Sequence, residues 1–299
     1  MVKRTLYFGN PAYLKTKTEQ LVIEKQDDDQ IVSVPIQDIG LILLDHTQIT
    51  ITSGLIAKLL ENNVALISCD NTHHPTGLML NLDGHSLQSR QFKAQIEASL
   101  PLKKQIWQQT ITQKIYNQAT LLKQLNRENK FLLNLAKDVK SGDSENHEAK
   151  AAGYYWKNLF LPFIDNFRRD RYGMPPNNML NYGYAILRAI VARSLVGSGL
   201  LPTLGIFHRN QYNAYCLADD IMEPYRPFVD KLVYTLLDPL EPAFELTPEL
   251  KKQLLTIPAM DVFINGDKSP LMIGVQRTTA SLAKCFEGKS KNVVYAELE

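Results

Sequence analysis

Along the first 80 residues the hydrophobic positions fall in short runs, LYFG, LVIE, IVSVPI, IGLILL and VALISC, separated by Asn, Pro, Gly and Asp-rich stretches. β-Branched and aromatic runs bounded by turn formers predict strands, so this part reads as a β-rich domain. QDDDQ, between Glu24 and Ile31, predicts a hairpin turn because Asp tolerates turn geometry and resists burial. One helix interrupts the strands: LIAKLLEN carries an apolar stripe, Ser53 caps its start, and Asn62 and Asn63 suit its end.

From Asn81 to Ser89 the composition shifts to Asp, Gly, His and Ser, the signature of a linker, and no strand run is predicted after it until the last few residues. Phe92 and Ile96 open a stripe with helical period. Pro101 marks the start of a further helix, and Ile106, Ile115, Leu122 and Leu125 keep the period with Lys and Gln outside. The segment MLNYGYAILRAIVARSLV is apolar nearly all round, which predicts a buried central helix closed by Gly197 and Gly199 with Pro202 beyond. The pattern is therefore α+β: a β-rich domain over 1–80, a linker over 81–90 and an all-α helical bundle over 91–299.

With 299 residues and 44% hydrophobic content the chain can fill a sizeable core. No run approaches the roughly 18 apolar residues of a membrane span. The start, MVKRTLYFGN, lacks the apolar centre of a signal peptide, so an intracellular protein is expected. Cys69, Cys216 and Cys285 are far apart and form no CxxC pair, which argues for reduced thiols rather than a zinc knuckle or disulfides. A formal charge of +2 does not announce nucleic-acid binding by itself, and the distribution matters more. Acids crowd at Asp27–Asp29, and bases cluster at Lys103 and Lys104, at Arg168, Arg169 and Arg171, and at Lys284, Lys289 and Lys291.

Three segments could carry chemistry. In SGDSENHEAKAAGYYWKNLF, a helix capped by Asp143 or Ser144 would place Glu148, Ala151, Ala152, Tyr155 and Leu159 on one face. A carboxylate on that stripe must be protonated, paired or bound to a cation, and an arginine of a neighbouring helix would serve equally well. His208 lies in LPTLGIFHRNQ, a loop-like stretch after the central helix, where Gly205 frees the backbone. His73 and His74 form a weaker metal pair. In YCLADDIMEPYRPFVD, Asp220 and Glu223 are three apart and project from one side of a turn, and Pro224 forces a kink or helix restart. Asp219 should point elsewhere, as a surface or capping acid, and Arg226 makes a structural ion pair an alternative reading of the turn. Together, Glu148, His208 and Glu223, with Asp220 as an auxiliary, form an oxygen-rich set with one nitrogen. Such a set favours Mg2+ or Mn2+ over zinc or copper and points to phosphoryl transfer.

At these residues the sequence resembles the CRISPR-associated protein one family, the spacer-acquisition integrase and endonuclease, over nearly its whole length. The similarity rests on EAKAAGYYW, GIFH and DDIMEPYRP, and extends to NNMLNYGYAIL and SCDNTHHPTGLML. The LYFGNPAYL opening looks most like members from type II systems, those with a single-protein effector nuclease. The resemblance implies a β-sandwich dimerisation domain ahead of a helical catalytic domain, with Glu148, His208 and Glu223 as metal ligands. It implies a cytoplasmic homodimer that assembles with CRISPR-associated protein two and a duplex DNA fragment, and with an effector nuclease as a further candidate partner. The fragment's 3′-hydroxyl would attack the leader–repeat DNA of the array. Because such fragments vary in sequence, phosphate contacts should dominate, and Arg90, Lys93, Arg168, Arg169, Arg171 and Arg209 are the candidates. Tyr172 and Tyr182 are candidates for base stacking or for the core, and Gln276, Arg277 and Ser281 for facing the site. A structure-selective nuclease of branched DNA in repair, and a non-catalytic DNA-binding scaffold, are the competing readings.

Overall fold

Leu41, Ile42 and Leu43 are consecutive and all fully buried, which requires cover on both faces of their strand. The computed structural model, which describes all residues except 1–2, 26–27, 162, 166 and 238–244 (and not the side chains of 28–30), provides that cover. The N-terminal part runs β1 (Arg4–Phe8), β2 (Ala12–Lys17), β3 (Gln20–Lys25), β4 (Asp28–Pro35), β5 (Ile39–Leu44), β6 (Ile49–Ile51), α1 (Ser53–Glu61), β7 (Ala65–Cys69) and β8 (Pro75–Met79). One sheet has the order β1-β5-β7-β8 and the other β4-β3-β2-β6. In the first, β1, β5 and β7 are parallel and β8 returns antiparallel. Ile42, Val64 and Leu66 face a core shared with the second sheet and α1, whereas Leu41, Leu43, Ala65 and Ile67 face the helices. The period of two thus sorts neighbouring residues into different cores. The strings LYFG, LVIE, IVSVPI, IGLILL and VALISC all overlap strands, while β2, β6 and β8 were not predicted. The expected QDDDQ turn falls partly outside the described residues, although β3 and β4 pair across it.

The helical part comprises α2 (Gln88–Glu97), α3 (Leu100–Gln124), α4 (Lys130–Asp138), α5 (His147–Leu159), α6 (Asn177–Gly197), α7 (Cys216–Met222), α8 (Arg226–Leu236), α9 (Pro248–Leu254), β9 (Asp261–Ile264), β10 (Asp267–Pro270) and α10 (Leu271–Phe286). As expected, α6 is buried through most of its length. Three expectations need correction. Thr52, not Ser53, caps α1, its hydroxyl accepting from the Leu55 N–H at 3.3 Å. The region is not all-α, because β9 and β10 form a hairpin across Asn265 and Gly266, both at positive φ, an Asn-Gly turn overlooked in INGDK. On α2 the buried side chains are Gln91 and Gln95, and Ile96 is exposed. Gln95 is inward because it serves a loop: its amide donates to the Leu201 and Leu204 carbonyls at 3.0 and 3.1 Å and accepts from the Leu201 N–H at 2.9 Å. Among the described residues no helix is long and apolar enough to cross a membrane.

Candidate active site

Glu148 is placed by a cap. The Asp143 carboxylate accepts from the His147 and Glu148 N–H groups at 2.8 and 3.0 Å, satisfying donors that the first turn of α5 leaves without intrahelical partners. Ala151, Tyr155 and Leu159 are fully buried along the same face, which holds Glu148 at the edge of the core. Its Oε1 lies 2.7 Å from the Lys114 ammonium, so the partner is a lysine rather than the arginine considered from the sequence.

His208 sits on the loop between α6 and α7, wrapped around Asp220. That carboxylate is fully buried and accepts from the N–H groups of Ile206, Phe207 and His208 at 2.7, 3.0 and 3.2 Å, and its Oδ1 lies 2.5 Å from His208 Nδ1. A Cβ on Gly205 would lie 2.3 Å from the His208 carbonyl oxygen and 2.9 Å from Asp220 Oδ2, so glycine is required by close approach. Phe207 stacks on Trp107 of α3, with ring centroids 4.2 Å apart, and the His208 ring meets the same indole edge-on. With Nδ1 engaged by Asp220, Nε2 is the ring nitrogen left for a ligand. The bond to Asp220 raises the imidazole pKa against the effect of burial, and Glu223 and Glu148 add to the rise. Asp220 therefore stands behind His208 as its orienting partner, rather than projecting beside Glu223.

The break expected at Pro224 is present: α7 stops at Met222, a 3₁₀ turn spans Glu223–Tyr225, and α8 starts at Arg226. Glu223 is 5% exposed. Its Oε1 accepts from Arg226 Nε at 2.8 Å, and its Oε2 lies 2.6 Å from Lys114 Nζ in an ion pair. Burial alone would raise this carboxyl, but Arg226 and Lys114 outweigh it and hold it well below the ordinary range. Burial likewise opposes the charge on Lys114, and Glu223 and Glu148 together raise its pKa. Asp219 is no surface acid, since Arg188 grips it at 2.6 and 3.0 Å and Asn213 donates to it at 2.7 Å.

The element that gathers these pieces is α3, which the sequence reading treated only as a packing helix. Trp107 contacts the His208 loop, Lys114 reaches both glutamates, and Asn117 donates to the carbonyls of Pro224 and Ala296 at 2.7 and 3.0 Å. The available signal was a lysine between Ile111 and Ile115, where the stripe turns inward. Among the described residues no three histidine, cysteine or carboxylate side chains close on one point as they stand. The Lys114 ammonium occupies the place between the two glutamates.

A cavity of about 160 Å³ opens beside Lys114, Glu223, Arg226 and Asp230. Arg226 and Arg169 also line a neighbouring groove of about 550 Å³, with Arg171, Arg188 and Tyr172 on its walls. Arg169 is fixed by Asn177 and Asn181 at 2.9 and 2.6 Å, and Tyr172 is 89% exposed. Tyr182, by contrast, is a core residue. Arg168 and Arg209 are exposed, the latter directly beside His208. Arg90 pairs with Glu287 at 3.2 Å and Lys93 lies 4.0 Å from Glu97, on a cleft of α2 and the end of α10 that none of the proposed ligands lines. Arg277 faces Asp267 of β10 at 3.8 Å, and the Ser281 hydroxyl accepts from the Val294 N–H of the C-terminal segment, so their partners lie away from the site. His73 and His74 do not act as a pair: His73 Nδ1 lies 2.8 Å from Asp45, and His74 lines the basic groove.

Residues 6–264 match the family model described as CRISPR associated protein Cas1. The CRISPR-associated endonuclease Cas1 of Neisseria meningitidis serogroup C (strain 8013) is 38% identical over 257 residues, 85% of this chain and 83% of that protein. Among solved structures, a casposase bound to integration product superposes with a TM-score of 0.77 at 22% identity, over 98% of this chain and 92% of the other. A Cas6-RT-Cas1–Cas2 complex gives 0.76 at 20% identity, over 100% of this chain and 36% of that one. At these identities the structural likenesses establish the fold.

Proposed function

This chain belongs to the Cas1 family of CRISPR-associated proteins, and from that premise we propose that Glu148, His208 and Glu223 are its phosphoryl-transfer site, serving Mg2+ or Mn2+. It is an endonuclease and integrase of CRISPR adaptation. The observation that carries the site assignment is the meeting of two carboxylates from separate elements, α5 and the turn after α7, at one positive charge beside a histidine held in a single orientation. The donors suit a hard divalent cation: two carboxylates that already converge on one positive charge, and an imidazole whose other nitrogen is fixed by Asp220. When bound, such an ion neutralises charge developing on a phosphodiester under attack.

The chain's own residues supply the rest. Arg226 holds one Glu223 oxygen and leaves the other toward the cavity. The groove of Arg169, Arg171 and Arg188 tracks the DNA backbone without reading sequence, with Tyr172 free to stack on a base. In the joining step the 3′-hydroxyl oxygen of the fragment forms a new P–O bond as the array strand's 3′ oxygen leaves with a proton. One phosphodiester replaces another, and no external energy is needed. In this reading residues 1–80 form the dimerisation domain; the linker expected over 81–90 gives way to α2 at Gln88, and the helical part from there on is the catalytic domain. Ile31 and Val32, exposed on edge strand β4, support a homodimer contact there. The assembly is cytoplasmic and includes the Cas2 partner, the duplex fragment and leader–repeat DNA, in a type II system whose effector nuclease is a further candidate member.

The decisive test is strand transfer of a short 3′-hydroxyl duplex into a supercoiled array plasmid, with the purified chain and its Cas2 partner, with and without EDTA. Glu148→Gln, His208→Ala and Glu223→Gln should each lower metal-dependent joining by roughly 10³-fold, the effect of losing several kcal/mol of charge stabilisation. Joining at the parental rate in folded variants would return the acids to a structural role and favour the scaffold reading. Metal-dependent hydrolysis of branched DNA without joining would favour the repair nuclease.

A further inference from the structure

Lys114 is a buried cation on the inward face of α3, between Ile111 and Ile115, with its side chain only 10% exposed. Such a charge is unfavourable unless paired. Here it is paired twice, to Glu148 Oε1 at 2.7 Å and to Glu223 Oε2 at 2.6 Å, whereas Arg226 takes only the other Glu223 oxygen. Two carboxylates this close repel each other, and the ammonium is what makes their convergence favourable. The oxygens it engages are the ones a divalent ion would need, so the two cations compete for one position. The helix beneath is held in place: Thr110 bonds the Tyr295 hydroxyl at 2.6 Å, and Asn117 bonds both Pro224 and Ala296. The four-carbon stem of Lys114 is flexible, and it borders the 160 Å³ cavity.

We propose that Lys114 is a positioning residue, a built-in cation that holds Glu148 and Glu223 converged and is displaced into the adjoining cavity when those carboxylates take up a divalent ion. This rests on the metal-site reading above. Displacement leaves an ammonium in need of an anion, and a DNA phosphate in the same cavity supplies one. Ion and DNA therefore bind cooperatively through Lys114, and by linkage each tightens the other by the same factor.

The test is Mn2+ binding measured by electron paramagnetic resonance on the full chain, with and without a short blunt DNA duplex. Lys114→Met keeps the stem and removes the charge; it should bind Mn2+ about tenfold more tightly than the parent without DNA, and the DNA-induced tightening expected of the parent should shrink toward none. Lys114→Arg, which keeps the charge, should bind no more tightly than the parent. Equal or weaker Mn2+ binding by folded Lys114→Met overturns the proposal while leaving the metal site intact. If Lys114→Met unfolds without the ion, Mn2+ must restore its circular dichroism spectrum, and failure to do so also overturns it. A parent chain that binds Mn2+ no better than Glu148→Gln removes the metal-site reading itself, and the proposal with it.

Discussion

Asp230 lies one layer behind the site, fully enclosed, with the hydroxyls of Tyr184 and Tyr155 donating to its two oxygens, the latter at 2.8 Å. Burial pushes its carboxyl up to about 7, against the pull of both hydroxyls and of Arg226 and Arg169. The folded value is above the unfolded one, near 4. Folding therefore favours the protonated form, and the stability it adds is full below pH ~4, declines through the interval and is gone above about 7. The difference in unfolding free energy between the parent and Asp230→Asn should follow this curve, shifting against the parent by on the order of a few kcal/mol between acid and neutral pH. Urea denaturation across that range reads it, and a pH-independent difference would mean that the Asp230 carboxyl keeps its unfolded value in the folded protein. The hydroxyls that meet Asp230 come from two other helices, α5 and α6, so its chemistry was invisible in PFVDK. Glu148 and His208 were legible because their segments carry distinctive neighbours; Lys114 was not, because its segment reads as plain amphipathic helix.

Among the elements, α5 shows how a cap becomes functional. Its first turn is held by Asp143, three residues ahead of Asn146, the formal capping position, which adopts a left-handed conformation and makes no side-chain cap bond. Asp143→Ala should cost about 1–2 kcal/mol, the usual worth of an N-cap, and should loosen the backbone that positions Glu148. Thermal unfolding gives the first quantity, and amide exchange at Glu148 with a lowered strand-transfer rate gives the second; unchanged exchange would place the cap's role elsewhere. SGDSENH offers Asp143 or Ser144 as the cap; the structure uses Asp143, whose offset depends on the turn at Gly142. For α2 the apolar pattern misled, because Gln95 faces inward to satisfy loop carbonyls and Ile96 is left outside. Hydrophobic periodicity cannot anticipate a polar side chain recruited by the unpaired backbone of a distant loop.

Across the whole molecule, the seam between the first sheet and the helices is pinned by Asp45. Its buried carboxylate accepts from Tyr7 of β1 at 2.7 Å, lies 2.8 Å from His73 in the β7–β8 connection, and takes the Lys251 ammonium of α9 at 2.8 Å. Burial acts to raise this carboxyl, and the bonds from Lys251, Tyr7 and His73 outweigh it, so its pKa is lowered. Folding here favours the ionised form: the stabilisation is present above the ordinary carboxylate value and is lost as pH falls through the lowered one, the reverse of Asp230. Asp45→Asn leaves Lys251 buried without its counter-charge and should cost about 3–5 kcal/mol at neutral pH. That deficit should shrink in acid, as followed by chemical denaturation; a loss under 1 kcal/mol would show that apolar packing alone holds the seam.

The sequence by itself determined the order of a β-rich part and a helical part, the buried central helix, the break at Pro224 and three segments rich enough in chemistry to mark Glu148, His208 and Glu223. Those features depend on local periodicity, turn chemistry and side-chain type, which a chain carries wherever it folds. Only the tertiary structure decided that Asp220 turns back to orient His208, that Asp219 closes on Arg188, that Arg90 and Lys93 lie on a separate cleft, and that Lys114 stands between the two glutamates. Each of these is a choice of partner among charges far apart in the chain, and it is settled by which elements packing brings within a few ångströms, where burial makes one pairing favourable over the others.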